Sequence, residues 1–207
     1  MARLPEFGAR LPEGPGELLG PGRRSGILSA AARLFKDRGY AITTMDDLAA
    51  QIGLGKSSLY HYFRSKEEIL AEIHEEFIEL LIGHAEARSG RPASAAARLL
   101  GLIEDMVTFS ARYPGHARTF FVPSRELPAV VRATVEERRE HYLQIVEQAI
   151  VDGLADGEFA GVAPRMTARS IVGACSWVHD SALPPTQAAD VAHALWHATV
   201  DGIAARP

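Results

Sequence analysis

Apolar residues recur along most of this chain at intervals of three and four, the spacing that places side chains on one face of a helix, and no long stretch alternates as a strand does. From Arg23 onward, Ile27, Leu28, Ala31, Leu34 and Phe35 form such a stripe, and Gly39 supplies a left-handed stop. Thr44, with Asp47 three residues later, makes a reciprocal capping pattern for a short second helix that buries Leu48, Ala49 and Ile52 and ends at Gly53. After the turn at 53–55, residues 56–62 predict a third helix, and Ser65 with Glu68 opens a long fourth one that stops before Pro92. Its apolar side is Ile69, Leu70, Ile73, Phe77, Leu80 and Leu81, and six Glu residues take the remainder.

Beyond Pro92 the punctuation by Pro and Gly predicts helices over 93–112, 116–122, 128–154, 164–183 and 185–203. Residues 1–22 differ: Pro and Gly interleave without a packable face, which reads as a flexible arm. The expected fold class is all-α, with a three-helix unit at 23–66 and a larger helical domain at 67–207.

Composition agrees, with 207 residues, 47% hydrophobic and only 7% aromatic. The single cysteine, Cys175, excludes an internal disulfide framework and a cysteine-rich zinc site, which fits a reducing, cytoplasmic setting. No apolar window has the length of a membrane span, and the N-terminus lacks a basic start before an apolar core, so neither secretion nor membrane insertion is expected. Charge adds an asymmetry that the overall −4 hides: residues 23–66 carry a net +5 and residues 67–207 a net −8. A short basic module joined to an acidic one suits phosphate binding, as it also suits a solvated basic face.

Two short helices joined by a Gly-containing turn fit a helix-turn-helix, in which the second helix enters the DNA major groove. A generic three-helix mini-domain has the same spacing. The residue types favour the first reading, because Lys56, Ser57, Ser58, Tyr60, His61 and Tyr62 load a two-turn helix with donors and flat aromatic tips where an enzyme core would place aliphatics.

Thr43–Ala49 (TTMDDLA), then Gly53-Leu54, then Leu59–Glu68 (LYHYFRSKEE), resemble the DNA-binding domain of TetR-type transcriptional regulators in order and spacing across about forty residues. The resemblance implies that Lys56, Ser57 and Ser58 read bases, and that Thr44, Tyr60, His61, Tyr62 and Lys66 hold phosphates. Short hydroxyls that allow close approach and a lysine able to donate to guanine suit those roles. Gly55 stands where the family usually has a hydroxyl cap. The resemblance also implies a C-terminal ligand-sensing and dimerising domain, hence a homodimer on double-stranded DNA, a small-molecule effector and no catalytic residues. Its last two helices would pack on a second copy through Ile171, Ala174, Cys175 and Val178 with Val191, Leu195, Ala198 and Val200, stripes that an intramolecular core explains as well. Candidate pocket liners are Phe77, Leu81, Met106, Phe109, Phe121, Tyr142 and Trp177, residue types that more often serve as plain core.

The sensor more faintly resembles the acyl-CoA-responsive branch of that family, through Glu126-Leu127-Pro128, Arg138-Arg139 with Tyr142, and Gly153 to Phe159. Arg138 and Arg139 could pair with a CoA phosphate, or form a solvated charged face with Glu136, Glu137 and Glu140. After Trp177, the run Val178-His179-Asp180-Ser181 departs from the branch. His193 and His197 lie one turn apart and could meet a metal with His179 or Asp190, but no Glu sits between them, and imidazoles serve a polar dimer seam equally well, so no metal or cofactor is expected. No phosphate loop or Gly-x-Ser-x-Gly supports an enzyme. The expected function is a ligand-responsive repressor. The competing reading is a helical lipid carrier or enzyme with an incidental basic three-helix unit.

Overall fold

A computed structural model describes residues 22–89 and 93–200. Its nine α-helices among these residues are α1 (Arg23–Arg38), α2 (Met45–Ile52), α3 (Lys56–Tyr62), α4 (Lys66–Ser89), α5 (Ala95–Arg112), α6 (Pro114–Phe121), α7 (Ala129–Ala155), α8 (Pro164–Ala174) and α9 (Ala188–Thr199), with short 3-10 turns at Ser124–Glu126, Ser176–Asp180 and Pro185–Gln187. No strand occurs among the described residues, as the apolar spacing predicts. Apart from Gly22, the arm expected at 1–22 lies outside them.

The helix starts follow from local chemistry. Thr44 accepts the Asp47 N–H while Asp47 accepts the Thr44 N–H, closing the capping box on α2. At α5 the cap comes from two places: Ser94 accepts the Ala97 N–H, and the Glu158 carboxylate, far along the chain, accepts those of Ala95 and Ala96, both at 2.9 Å. Those bonds hold the Glu158 carboxyl below its ordinary pKa. Phe159 then lies over Gly153, where a Cβ would come within 2.3 Å of its ring.

Two hydrophobic cores form. One gathers α1, Leu48, Leu59, Phe63 and the first turns of α4 (Ile69, Leu70, Ile73), and it also takes in Leu127, Val131 and Val135 at the start of α7. The other holds Phe77, Ile78, Leu81 and Ile82 of α4 with α5, α6, the later α7, α8 and α9. The cores therefore divide within α4, between Ile73 and Phe77, rather than at residue 66, and α7 as well as α4 belongs to both. A third link is α6 on α1. Gly115 approaches α1 so closely that a Cβ there would sit 2.6 Å from the Ala32 carbonyl oxygen.

One predicted helix does not run through. The stripe expected to continue over 164–183 ends at Ala174, and the chain tightens into the 3-10 turn Ser176–Asp180. There Val178 and His179 are buried, and the His179 ring stacks on Phe121 at 5.5 Å. The tertiary partner thus sets the winding, and Ser181 closes the turn by donating to the Val178 carbonyl at 2.7 Å.

Candidate nucleic-acid interface and sensor core

Helix α3 is held from one side only. Leu59 and its C-cap Phe63 are fully buried, whereas Lys56, Ser57, Ser58, Tyr60 and His61 are exposed and Tyr62 is half-buried. The turn before it depends on Gly53 in the left-handed region (φ 69°), whose N–H reaches Ala49 and Ala50, while Leu54 donates to Ala49 at 2.9 Å. Gly55 gives α3 no side-chain cap. From the other end, Arg24 lies over the Phe63 ring at 4.1 Å, donates to the Tyr62 carbonyl and pairs with Glu72, fixing α3 to α1 and α4.

The residues expected to meet DNA fall into two groups. Lys56, Ser57, Ser58, Tyr60 and His61 share the exposed side, with Lys56 paired to Asp46 at 2.8 Å, an exposed partner that raises its pKa and that a phosphate or base can replace. Thr44 and Lys66 have other work. The Thr44 hydroxyl is committed to Asp47 at 2.6 Å, and the Lys66 ammonium donates to the carbonyls of Tyr40 (2.8 Å), Ala41 (3.2 Å) and Thr43 (2.8 Å) while sitting 4.4 Å from the centre of the Tyr40 ring. An ammonium has three N–H donors, so Lys66 is saturated within the protein and braces the α1–α2 loop rather than presenting its charge. A residue that the sequence pattern did not flag is Arg23, which lines a cleft of about 350 Å³ with Leu54, Ser57, Ser58, His61 and Tyr62. Its position one residue after a Gly at a helix start carried no signal of its proximity to α3.

In the C-terminal core Phe77, Leu81, Met106, Phe109 and Tyr142 are buried together, and Phe121 packs half-buried on its edge. Trp177 does not join them: at 48% exposure it points away from the core, because the 3-10 turn buries Val178 and His179 on the inward side. Met106 and Tyr142 line a void with Leu102, Ile103, Ile171 and Cys175, but it offers only about 10 Å³, room for one water at most. Burial pushes the Cys175 thiol up to about 12, so it stays protonated.

Arg138 and Arg139 form neither a phosphate seat nor a solvated face. Arg138 pairs with Glu75 and Glu79 of α4, and Arg139 is half-buried, donating to the carbonyls of Val122 (2.9 Å) and Thr119 (3.0 Å) and to His74 Nε2 (3.3 Å). Burial drives the Arg139 guanidinium down to about 10 and, with Arg139 beside it, His74 down to about 3. Beside them His116, buried, meets Glu76 at 3.1 Å. This polar layer ties α4, α6 and α7 together between the two cores.

The stripe expected to face a second copy is largely internal: Ile171, Cys175, Val178 and Val200 are buried within one chain, and Val191 and Leu195 pack against that core. Residues facing outward here include Met166 (63% exposed) and Gly173 of α8, Trp177 in the turn that follows, and His193, Ala194, His197 and Ala198 of α9, of which Ala198 belongs to the expected stripe. His193 lies 3.5 Å from Glu104, and no group of three metal-ligating side chains occurs among the described residues. No helix there is long and apolar enough to cross a membrane.

Comparison with known proteins follows the same two-part division. Residues 27–73 match the family described as bacterial regulatory proteins, tetR family, and residues 92–180 match the tetracyclin repressor-like C-terminal domain. The HTH-type transcriptional repressor KstR2 of Mycolicibacterium smegmatis is 31% identical over 138 residues, which span 63% of this chain and 66% of that protein, just under two thirds of its length. The structure of the ketosteroid transcriptional regulator KstR2 of Mycobacterium tuberculosis shares the fold with a TM-score of 0.82 at 23% identity, covering 90% of this chain and 97% of that one. AibR, solved in complex with isovaleryl coenzyme A and operator DNA, superposes with a TM-score of 0.73 at 26% identity over 85% of this chain and 97% of its own. With its N-terminal helix-turn-helix and its C-terminal domain both matched, the chain belongs to the TetR family of bacterial regulatory proteins.

Proposed function

We propose that this TetR-family regulator is a homodimeric repressor that reads a near-palindromic operator with α3 and leaves it when an acyl-CoA binds the sensor domain. The observation that carries the DNA reading is the one-sided anchoring of α3, which buries Leu59 and Phe63 and turns Lys56, Ser57, Ser58, Tyr60 and His61 outward beside Arg23. In this reading Lys56, Ser57 and Ser58 meet base edges, while Arg23, Tyr60, His61 and Tyr62 hold backbone phosphates. The family assignment leaves the lipid-carrier and enzyme alternatives without support. A role at DNA places the protein in the cytoplasm.

The second copy would pack on Met166, Gly173 and Trp177 of the α8 region with Ala194 and Ala198 of α9, the exposed apolar and small residues there. Effector binding acts by differential affinity for the state whose recognition helices are wrongly spaced for successive grooves. The contacts available to transmit it are α4, the start of α7 in the DNA-binding core, and α6 against α1. Acyl-CoA as the effector rests on the likeness to AibR and on the faint branch resemblance. Selection of genomic fragments by the purified protein, followed by native mass spectrometry, tests the reading: two chains per operator are expected, and dissociation by an acyl-CoA. One chain per operator, or retention of all fragments alike, refutes it.

A further inference from the structure

We propose that the outward face of α9 holds a divalent transition-metal ion shared between two copies of this chain, with His193 and Glu104 of one copy and His197 of the partner subunit as its ligands. The proposal rests on the homodimer reading above, which sets the second copy on Ala194 and Ala198 of α9. His193 and His197 lie one helical turn apart and both are exposed, with Ala194 and Ala198 beside them on the same face. The two methyl side chains let a second backbone come close. A chain that covers this stripe therefore brings its own side chains against the two imidazoles.

One pair of ligands is already spaced for the ion. Glu104, half-buried on α5, brings its Oε1 to 3.5 Å from His193 Nε2. That is longer than a good hydrogen bond and close to the separation of two ligands on one tetrahedral zinc, about 3.4 Å for bonds of about 2.1 Å. His197 does not complete the site within its own chain, since no three metal-ligating side chains come together among the described residues. The third donor has to come from outside. In a two-fold contact residue i meets residue j while j meets i, so an axis through the middle of the stripe sets each His193 opposite His197 of the partner subunit. Two equivalent sites result, each with two imidazoles and one carboxylate, a donor set that suits zinc or cobalt and leaves a fourth position to water. Because neither chain holds the set alone, the ion binds the dimer in preference to the monomer and strengthens dimerisation by mass action.

Titration calorimetry and sedimentation of the full chain test this, with zinc chloride and with a chelator. One zinc per chain should bind, and it should lower the dimer dissociation constant at least tenfold relative to the chelated protein. His193→Asn, His197→Gln and Glu104→Gln should each lose that tightening, while circular dichroism shows each variant to be folded. The decisive sample is a heterodimer of the His193→Asn chain with the His197→Gln chain, co-expressed under two affinity tags. It keeps one complete site, formed by His193 and Glu104 of one chain and His197 of the other, so it should bind one zinc per dimer although neither variant binds any as a homodimer. A chelate of His193 and His197 within a single chain gives no zinc in that heterodimer, and this result overturns the proposal. Zinc bound equally by the parent and the variants also overturns it. A dimer in chelator that zinc does not tighten overturns the shared site and keeps the homodimer reading, whereas a monomer under every condition overturns both.

Discussion

Lowering the pH should unfold this protein partly through one histidine. His74 is only 1% exposed, its ring stacks on Phe120 at 6.0 Å, and its Nε2 accepts from Arg139. Protonation would place N–H against N–H beside a guanidinium, and burial followed by the charges of Arg139 and Arg138 lowers its pKa from 6.5 to about 3. The unfolded chain takes up this proton near pH 6.5 while the folded chain refuses it until about pH 3, so His74 costs nothing above the first value and erodes stability as pH falls towards the second. Each unit is worth about 1.4 kcal/mol, which makes the loss at pH 5 about 2 kcal/mol. Urea unfolding followed by circular dichroism at pH 7, 6 and 5 measures it. His74→Gln keeps an acceptor for Arg139 but cannot titrate, so it should lose about 2 kcal/mol less than the parent between pH 7 and 5. Equal losses in the two proteins would refute the reasoning, since the remaining histidines are common to both.

Gly115→Ala should destabilise by about 1–3 kcal/mol, because the new methyl meets the Ala32 backbone with no flexible side chain to yield; a thermal melt with an unchanged midpoint would show that α6 and α1 are not so tightly apposed. Arg23→Ala, which removes one phosphate contact from each of the two chains on the operator, should weaken every operator alike and reduce the slope of log K against log salt by about 1.8, whereas Lys56→Ala should change which base is preferred; a selection experiment returning the same consensus for both removes the base-reading role. Lys66→Met should expose the 39–44 loop to proteolysis, since three carbonyls lose their shared donor, and an unaltered digestion pattern would contradict that bracing role. Met166→Glu with Trp177→Glu should yield a monomer by light scattering with little change in melting temperature, both positions being exposed in the single chain. A surviving dimer would place the interface elsewhere.

The order of the helices, the capping box at Thr44 and the outward chemistry of α3 could be read from the sequence, because each is decided within a few residues: apolar spacing, an Asp three positions after a Thr, and a glycine able to take positive φ. Leu59, the one aliphatic in the polar α3, is the residue that helix buries. What lay beyond reach depends on partners distant in sequence. Trp177 looked like a pocket liner on a continuous helix, yet the chain winds into a 3-10 turn once His179 finds Phe121, and the tryptophan turns outward. Arg138 and Arg139 are adjacent in sequence and alike in charge, but α4 carboxylates meet one and the end of α6 encloses the other. Lys66 carried the family's phosphate-binding position, and only the path of the α1–α2 loop supplied three carbonyls to its ammonium. Local hydrogen bonding and periodicity thus settled where the helices lie and which residues could face DNA, whereas burial and pairing across the fold determined which charges remain available.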